Sequence, residues 1–301
     1  MDPLLVIANA DAGGGETEAL QIALGVLREE ADVQLATTAN AGELDSVLHR
    51  AGCRRIVVAG GDGSLHAVVT ALHRRHELGA RTLGLIPLGT GNDFARTLGI
   101  RLDPAEAAVT ILTGEVRPMD LILDELGGVV VNNVHAGASA QASRRGARWK
   151  KRLGPYGFGI FGYPIGAVLA SFRPPFVRLR IEADGEVLTD VDRHVLMVAI
   201  GNGTSVGGGT EVTPDADPED GRLDVMISFA TGPVERFTYA VQLYGGRHPE
   251  RDDVLTQRAR QVTITGEDFW LVADGEIQGP ERRRSWHLEP AAYRLIVPPS
   301  L

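Results

Sequence analysis

Three times within the first hundred residues, an apolar run short enough for one strand ends in a glycine-rich loop and passes into a helical pattern. Leu4–Ala8 leads into Asn9–Gly15, and Arg55–Ala59 into Gly60-Gly61-Asp62-Gly63-Ser64. Thr82–Ile86 leads into Pro87-Leu88-Gly89-Thr90-Gly91-Asn92-Asp93. A strand without polar alternation must be covered on both faces, which is the condition of a parallel sheet lying under helices. The helical patterns supply that cover. Residues 16–30 place Leu20, Ala23, Leu24 and Leu27 on one face, while Leu44, Val47 and Leu48 mark a second helix and Leu65, Val68, Val69 and Leu72 a third. Val33–Ala36 adds a strand, and helical patterns at 93–98 and 104–113 follow the third loop. Alternation at this spacing predicts an α/β unit on a parallel sheet.

The texture changes after Pro118. Leu121–Leu123, Val129–Val131, Val177–Ile181, Val195–Ile200, Leu223–Ile227, Val262–Ile264 and Phe269–Ala273 are short β-branched runs divided by Gly, Pro and Asp. They predict a mainly antiparallel β-sandwich, interrupted by one helical insert at 150–172. The expected division is an α/β domain over 1–118 and a β-rich domain over 119–290, with 291–301 open to return to the first. A length of 301 residues accommodates two domains with separate cores.

Composition removes several classes of function. The net charge of −9 argues against a general nucleic-acid coat, which needs clustered positive charge. A single cysteine, Cys53, excludes an intramolecular disulfide framework and a cysteine-rich metal site. The start is acidic and its apolar run is short for a secretory signal, and no apolar stretch is long enough for a spanning helix. A cytoplasmic protein, with peripheral contact at the inner face of a membrane left open, is the expectation.

The loops define the chemistry. Lys150 and Lys151 are the only lysines, so neither the first loop nor any other N-terminal segment forms a Walker A motif, and a protein-kinase lysine is absent as well. The first loop also lacks the Gly-x-Gly-x-x-Gly dinucleotide spacing. The second loop lets the backbone approach a phosphate at a helix N-terminus, with Asp62 placed to meet Mg²⁺ directly or through water. Taken alone it reads equally well as a strand–helix turn capped by Asp62 or Ser64. The third loop weights the choice, because Thr90, Asn92 and Asp93 bring a hydroxyl, an amide and a carboxylate to the same sheet edge, where α/β proteins bind ligands.

Gly60-Gly61-Asp62-Gly63-Ser64, followed 27 residues later by Pro87-Leu88-Gly89-Thr90-Gly91-Asn92-Asp93-Phe94-Ala95-Arg96, resembles the diacylglycerol kinase catalytic-domain family, which includes sphingosine-kinase-like and bacterial lipid kinases. The resemblance implies an ATP-dependent kinase of lipid hydroxyls whose nucleotide domain is related to those of NAD kinase and phosphofructokinase. It implies nucleotide contacts at Asn9, Thr38, Gly60, Gly61, Asp62, Gly63, Ser64, Leu65, His66 and Thr90. Three positions depart from the family pattern: Ala10 replaces a usual proline, Ser64 a threonine, and His66 a frequent asparagine.

Two acidic segments complete the pattern. Glu211–Asp224 holds Asp215, Asp217 and Asp220, and on composition alone reads as a solvated turn or as a wrap for a hard cation. Its similarity to a family segment implies a structural Mg²⁺ on Asp217, Asp220 and the carbonyl of Arg222. Ala273-Asp274-Gly275-Glu276 carries a hairpin dipeptide. In the family this Asp-Gly-Glu supplies the catalytic carboxylate, which points to Asp274 as the base with Glu276 as the alternative.

Between them, residues 144–152 gather six cations around Trp149, followed by an aromatic, glycine-spaced run. Arg148, Trp149, Lys150 and Lys151 suit an anionic lipid surface; a solvated basic helix end is the other reading. His135, His194 and His287 lack ligand spacing, and no Gly-x-Ser-x-Gly elbow is present. The expected partners are therefore ATP, Mg²⁺ and a lipid at the membrane surface, with no nucleic acid, and a homodimer stays open. A kinase of a soluble acceptor such as NAD or a sugar phosphate, and a nucleotide- or lipid-binding protein without catalysis, are the competing readings.

Overall fold

A computed structural model of the chain describes residues 3–10, 13–52, 54–138, 140 and 176–299. Its first unit runs β1 (Leu4–Asn9), α1 (Gly14–Glu30), β2 (Val33–Thr38), α2 (Ala41–His49), β3 (Arg55–Gly60), α3 (Asp62–Arg74), β4 (Thr82–Pro87), α4 (Asp93–Thr97), α5 (Pro104–Thr113) and β5 (Glu115–Asp124). Strands β2, β1, β3 and β4 lie side by side in that order, all parallel. Apolar burial is the reason these segments take this form. Leu4, Val6, Ile56, Val57, Val58, Leu83 and Ile86 are all fully buried, and Leu24 and Leu27 of α1 and Leu72 of α3 join the same core. Leucine-to-alanine changes at such sites typically cost about 2–5 kcal/mol.

The second unit continues with β6 (Val129–Val130), β7 (Asn133–Gly137), β8 (Val177–Ala183), β9 (Glu186–Thr189), β10 (His194–Val195), β11 (Met197–Gly201), β12 (Ser205–Val206), β13 (Thr210–Glu211) and β14 (Leu223–Ser228). After them come α6 (Pro233–Tyr244), β15 (Val254–Ala259), β16 (Gln261–Ala273) and β17 (Glu276–Val297). Strand β16 makes the corner of the sandwich. It pairs with β8 through Val262–Gly266, shifts register, and then pairs with β7 through Leu271–Ala273. Trp286 and Phe269, each 1% exposed, fill the space between the sheets with Leu179, Ile181, Val198 and Ile264.

Strand β17 joins the two units. Its first half is antiparallel to β16, its second half antiparallel to β5, and Arg294 and Leu295 lie parallel to Thr82 and Leu83 of β4. The sequence breaks this strand into pieces because Pro280 and Pro290 interrupt it. The structure accommodates Pro290 at a bulge between Glu289 and Tyr293, where Ala291 takes φ of 53° and donates its N–H to the buried carboxylate of Asp120 at 2.8 Å. One hydrogen-bonded path therefore runs from β15 to β2 through both units. No described helix is long and apolar enough to cross a membrane.

Candidate active site

Because β1 to β4 are parallel, their carboxyl ends share one edge of the sheet, and the loops that leave them converge there. Asn9 lies in register with Thr38, and Gly60 with Pro87. Ala10 N–H donates to the Thr38 carbonyl at 3.0 Å, which joins the first loop to the end of β2.

The second loop opens α3. Gly61 caps the helix in an extended conformation with no side-chain bond, and its carbonyl accepts from Ser64 N–H at 3.0 Å and Leu65 N–H at 3.2 Å. The amides of Asp62 and Gly63 begin the first turn without an intrahelical acceptor, so the helix presents donors and the positive end of its dipole at the sheet edge. Glycine is required where the loops touch. A Cβ on Gly89 would stand 2.6 Å from the Gly61 Cα, and a Cβ on Gly60 would overlap the Ser64 hydroxyl. Gly63 faces open space, and Thr90 is exposed at the tip of the third loop. This is a surface that a phosphate chain can approach backbone-first. Leu65 differs from its neighbours: its side chain is 1% exposed and belongs to the core.

The polar residues of the third loop are committed to building it. Asn92, at φ of 53°, accepts from Gly89 N–H at 3.1 Å and returns its amide to the Gly89 carbonyl at 2.6 Å. Asp62 caps α4 from across the site, with its two oxygens accepting Asp93 N–H and Phe94 N–H at 3.0 Å each. Burial, reinforced by the nearby Asp93 and Asp274 charges and opposed by those two amides, raises the Asp62 pKa. Asp93, 6% exposed, reaches into the second unit. It accepts from the Ser205 hydroxyl at 3.2 Å, Gly208 N–H at 3.0 Å and Gly209 N–H at 2.7 Å. That glycine turn has positive φ at 207, 208 and 209, a conformation in which successive amides form an anion nest.

Asp274 sits opposite. The sequence offers Asp-Gly as a hairpin signal or as a catalytic carboxylate, and the structure uses the hairpin to aim the carboxylate. Asp274 and Gly275, at φ of 45° and 86°, form the two-residue turn between paired Ala273 and Glu276. The carboxylate, 4% exposed, accepts from Val131 N–H at 2.6 Å, Asn132 N–H at 2.9 Å, Asn133 N–H at 3.2 Å and His66 Nδ1 at 2.9 Å. Chiefly through the bond to Asp274, the His66 pKa is raised. Glu276 begins β17 on the exposed surface.

At the acidic turn, Asp217 accepts from Glu219 N–H at 3.0 Å, and Asp220 accepts from Arg222 N–H at 2.8 Å while its second oxygen pairs with Arg258. Asp224 was not singled out by the sequence, yet its Oδ2 is buried without a hydrogen-bond partner, and burial together with Asp215 and Asp217 pushes its pKa up to about 6. Among the described residues no group of three or more His, Cys, Asp or Glu side chains converges as a ready metal site. Asp120, also absent from the sequence reading, holds the turn by accepting Gly221 N–H at 2.7 Å. Arg148, Trp149, Lys150 and Lys151 lie outside the described residues, as does the rest of 141–175.

Comparison with known proteins matches residues 3–123 to the diacylglycerol kinase catalytic domain and residues 132–297 to the YegS C-terminal NAD kinase beta sandwich-like domain. The chain is 31% identical to the diacylglycerol kinase of Bacillus subtilis (strain 168) over 83% of its own length and 82% of that protein's. It is 31% identical to a Pseudomonas aeruginosa protein named "Probable lipid kinase YegS-like", over 98% of its length and 94% of that protein's. A solved structure from Bacillus anthracis str. Sterne superimposes with a TM-score of 0.77 at 26% identity, covering 99% of this chain and 98% of that one.

Asp93 makes a direct prediction. Asp93→Asn places an amide donor against the nest and removes the charge from three hydrogen bonds, each worth about 1.5–3 kcal/mol when charged. Urea denaturation is expected to show a loss of roughly 2–4 kcal/mol; a loss below about 0.5 kcal/mol, the range of ordinary surface substitutions, contradicts the assignment.

Proposed function

This chain belongs to the diacylglycerol kinase catalytic-domain family, and we propose that it transfers the γ-phosphoryl group of ATP to the hydroxyl of a diacylglycerol-like lipid. Membership makes it a lipid kinase, a phosphotransferase with an alcohol acceptor and ATP as donor. The supporting observation is the 2.9 Å bond from His66 to Asp274. The helix that opens on the glycine loop also reaches the carboxylate of the other unit, four residues along, or about 6 Å of helical rise. Donor and acceptor chemistry meet within that distance.

Phosphoryl transfer asks the protein for position, for charge stabilisation and for a group that takes the acceptor's proton. Asn9, Thr38, the Gly60–His66 segment and Thr90 hold the nucleotide, with the open amides of Asp62 and Gly63 turned to its phosphates. The base is built on Asp274. Mg²⁺ bound with ATP supplies neutralisation of charge on the transferring group. Each Asp62 oxygen accepts one amide and keeps a second lone pair, so Asp62 can meet that ion directly or through water. The acceptor meets the enzyme at an anionic membrane surface, for which the cationic stretch 144–152 is suited.

A structural Mg²⁺ fits the acidic turn on separate grounds. The oxygens are hard donors, and the orphaned Asp224 Oδ2 beside Asp215 and Asp217 lacks a neutralising partner within hydrogen-bond reach; Arg258 Nε stands 3.9 Å away. The donors assigned to the ion are Asp217, Asp220 and the Arg222 carbonyl, with the Asp224 carboxylate as a further oxygen donor beside them.

Two measurements test these assignments. With γ-labelled ATP, the protein is expected to label an organic-extractable lipid from a diacylglycerol-containing panel, and Asp274→Asn to lower kcat by about 10²–10⁴-fold with ATP affinity nearly unchanged. Label appearing on NAD or a sugar phosphate instead, or more than about a tenth of kcat surviving in the variant, contradicts the proposal. The second is thermal. The raised Asp224 pKa means that stability from its proton is present below the unfolded value of 3.8 and is lost as pH rises through about 6. Millimolar Mg²⁺ should therefore raise Tm by a few degrees at pH 8 and little at pH 5, and Asp224→Asn should abolish the increment. An equal increment at both pH values, or none, overturns the site.

A further inference from the structure

We infer that the outward face of α6, formed by Val234, Phe237, Val241 and Tyr244, is a membrane-contact surface that lies on the phospholipid bilayer holding the acceptor. This rests on the lipid-kinase reading and adds the contact surface that such a reaction requires.

The helix has two unlike faces. At about 100° per residue, positions 234, 237, 241 and 244 fall within an arc of roughly 80°. Their side chains are 70%, 71%, 58% and 89% exposed. The charged residues of the helix, Glu235 and Arg236, both lie outside that arc. The opposite side holds the helix in place. Tyr239, 3% exposed, sends its hydroxyl to the sulfurs of Met197 at 3.2 Å and Met226 at 3.7 Å, and Leu243 packs on the same cluster. Arg251 tethers one flank through the Thr238 hydroxyl at 2.9 Å and Gln242 Oε1 at 3.0 Å. Anchored in this way, α6 keeps its apolar stripe turned outward.

Size and chemistry select the occupant. Two aromatic and two valine side chains at these exposures present roughly 500 Å², more than scattered surface residues but short of the roughly 800 Å² per partner of a stable protein interface. A second copy of the chain would therefore find too little area on this helix alone. A bilayer sets no such threshold, because binding grows with whatever apolar area is buried at its boundary. Its interface also favours aromatic rings that carry a polar tip, as Tyr244 does. A long-chain acceptor stays in the bilayer, so the enzyme has to come to it.

The course of the chain agrees. Ala138 and Phe176, on either side of 141–175, both pack against the Tyr239 cluster, and the Arg236 guanidinium stands 5.5 Å from the centre of the Phe176 ring. The chain thus departs and returns beside α6, and the part between includes the six cations of 144–152. Cations draw the protein to anionic headgroups, and an uncharged stripe supplies the apolar burial. The two contributions belong to one side of the molecule.

The test is sedimentation of the full chain with vesicles of phosphatidylcholine and phosphatidylglycerol, without ATP. Replacing two exposed rings together, Phe237→Ser with Tyr244→Ser, is expected to lower the partition coefficient by about tenfold or more while Tm stays unchanged. A fall of less than about threefold overturns the inference. A dimer in the parent that the double variant breaks, with vesicle binding unchanged, overturns it in favour of a second copy. A large loss of Tm with vesicle binding unchanged overturns it in favour of cover by the chain's own residues 153–172. Should the double variant fail to fold, Phe237→Trp decides: vesicles of brominated phosphatidylcholine should quench the added indole emission beyond that of the parent, and no extra quenching overturns the inference. Phosphorylation of a short-chain diacylglycerol dissolved as monomers reports the chemistry separately and should be equal in parent and double variant. Its absence from the parent refutes the lipid-kinase reading, whereas its presence with unaltered vesicle binding in the double variant overturns the membrane contact alone.

Discussion

The carboxylate of Asp93 binds the two halves of the protein where they must act together. It belongs to the third glycine loop of the first unit, yet its acceptors are spent on Ser205, Gly208 and Gly209 of the second unit. Asp62 performs the related task within the first unit, since its two oxygens fix the start of α4 and so fix Asp93 itself. Such charge-assisted bonds to backbone amides are short, directional and costly to break in a buried site. The third glycine loop is therefore positioned by two carboxylates that accept hydrogen bonds from backbone amides.

The same device recurs at the turn between β16 and β17. Asp274 is gripped by three consecutive amides, 131–133, at a two-residue turn, and its remaining direction is closed by His66. Helix α3 consequently carries two functions at different depths. Its first turn leaves amides open at the sheet edge, and its second turn brings an imidazole against a carboxylate from the other unit. Strand β17 makes this geometry durable, because it is hydrogen-bonded to β16, β5 and β4 and so fixes the Asp274 turn relative to the parallel sheet.

Much of this is legible in the residues. Uninterrupted apolar strands with helical cover require a parallel sheet, and the loops at its carboxyl edge lie as expected. Elements built from mixed signals are less legible. Helix α6 buries Tyr239 while exposing Val234, Phe237, Val241 and Tyr244, so its apolar residues do not mark a core-facing stripe. Strand β17 survives two prolines because one sits at a bulge. In the site, the polar residue types at 62, 92 and 93 are evident in the sequence, but composition does not reveal that Asp62 and Asp93 are held by backbone amides remote in sequence. Val131–Asn133 leave no signal at all, since they act through backbone. Asp224 resembles every other carboxylate of its turn until its burial is known.

The lipid-kinase proposal places ATP at the glycine loops of the first unit, and Asp93 couples the third of these loops to the Gly207–Gly209 turn of the second. Hydrogen–deuterium exchange with and without Mg·ATP, in the absence of acceptor, tests it most directly, because exchange reports local opening along the chain. The account predicts that ATP slows exchange together in peptides covering Gly60–Leu65, Leu88–Phe94 and the Gly207–Gly209 turn. Protection confined to the first unit, with the Gly207–Gly209 turn unchanged, or protection elsewhere in the chain, would contradict it.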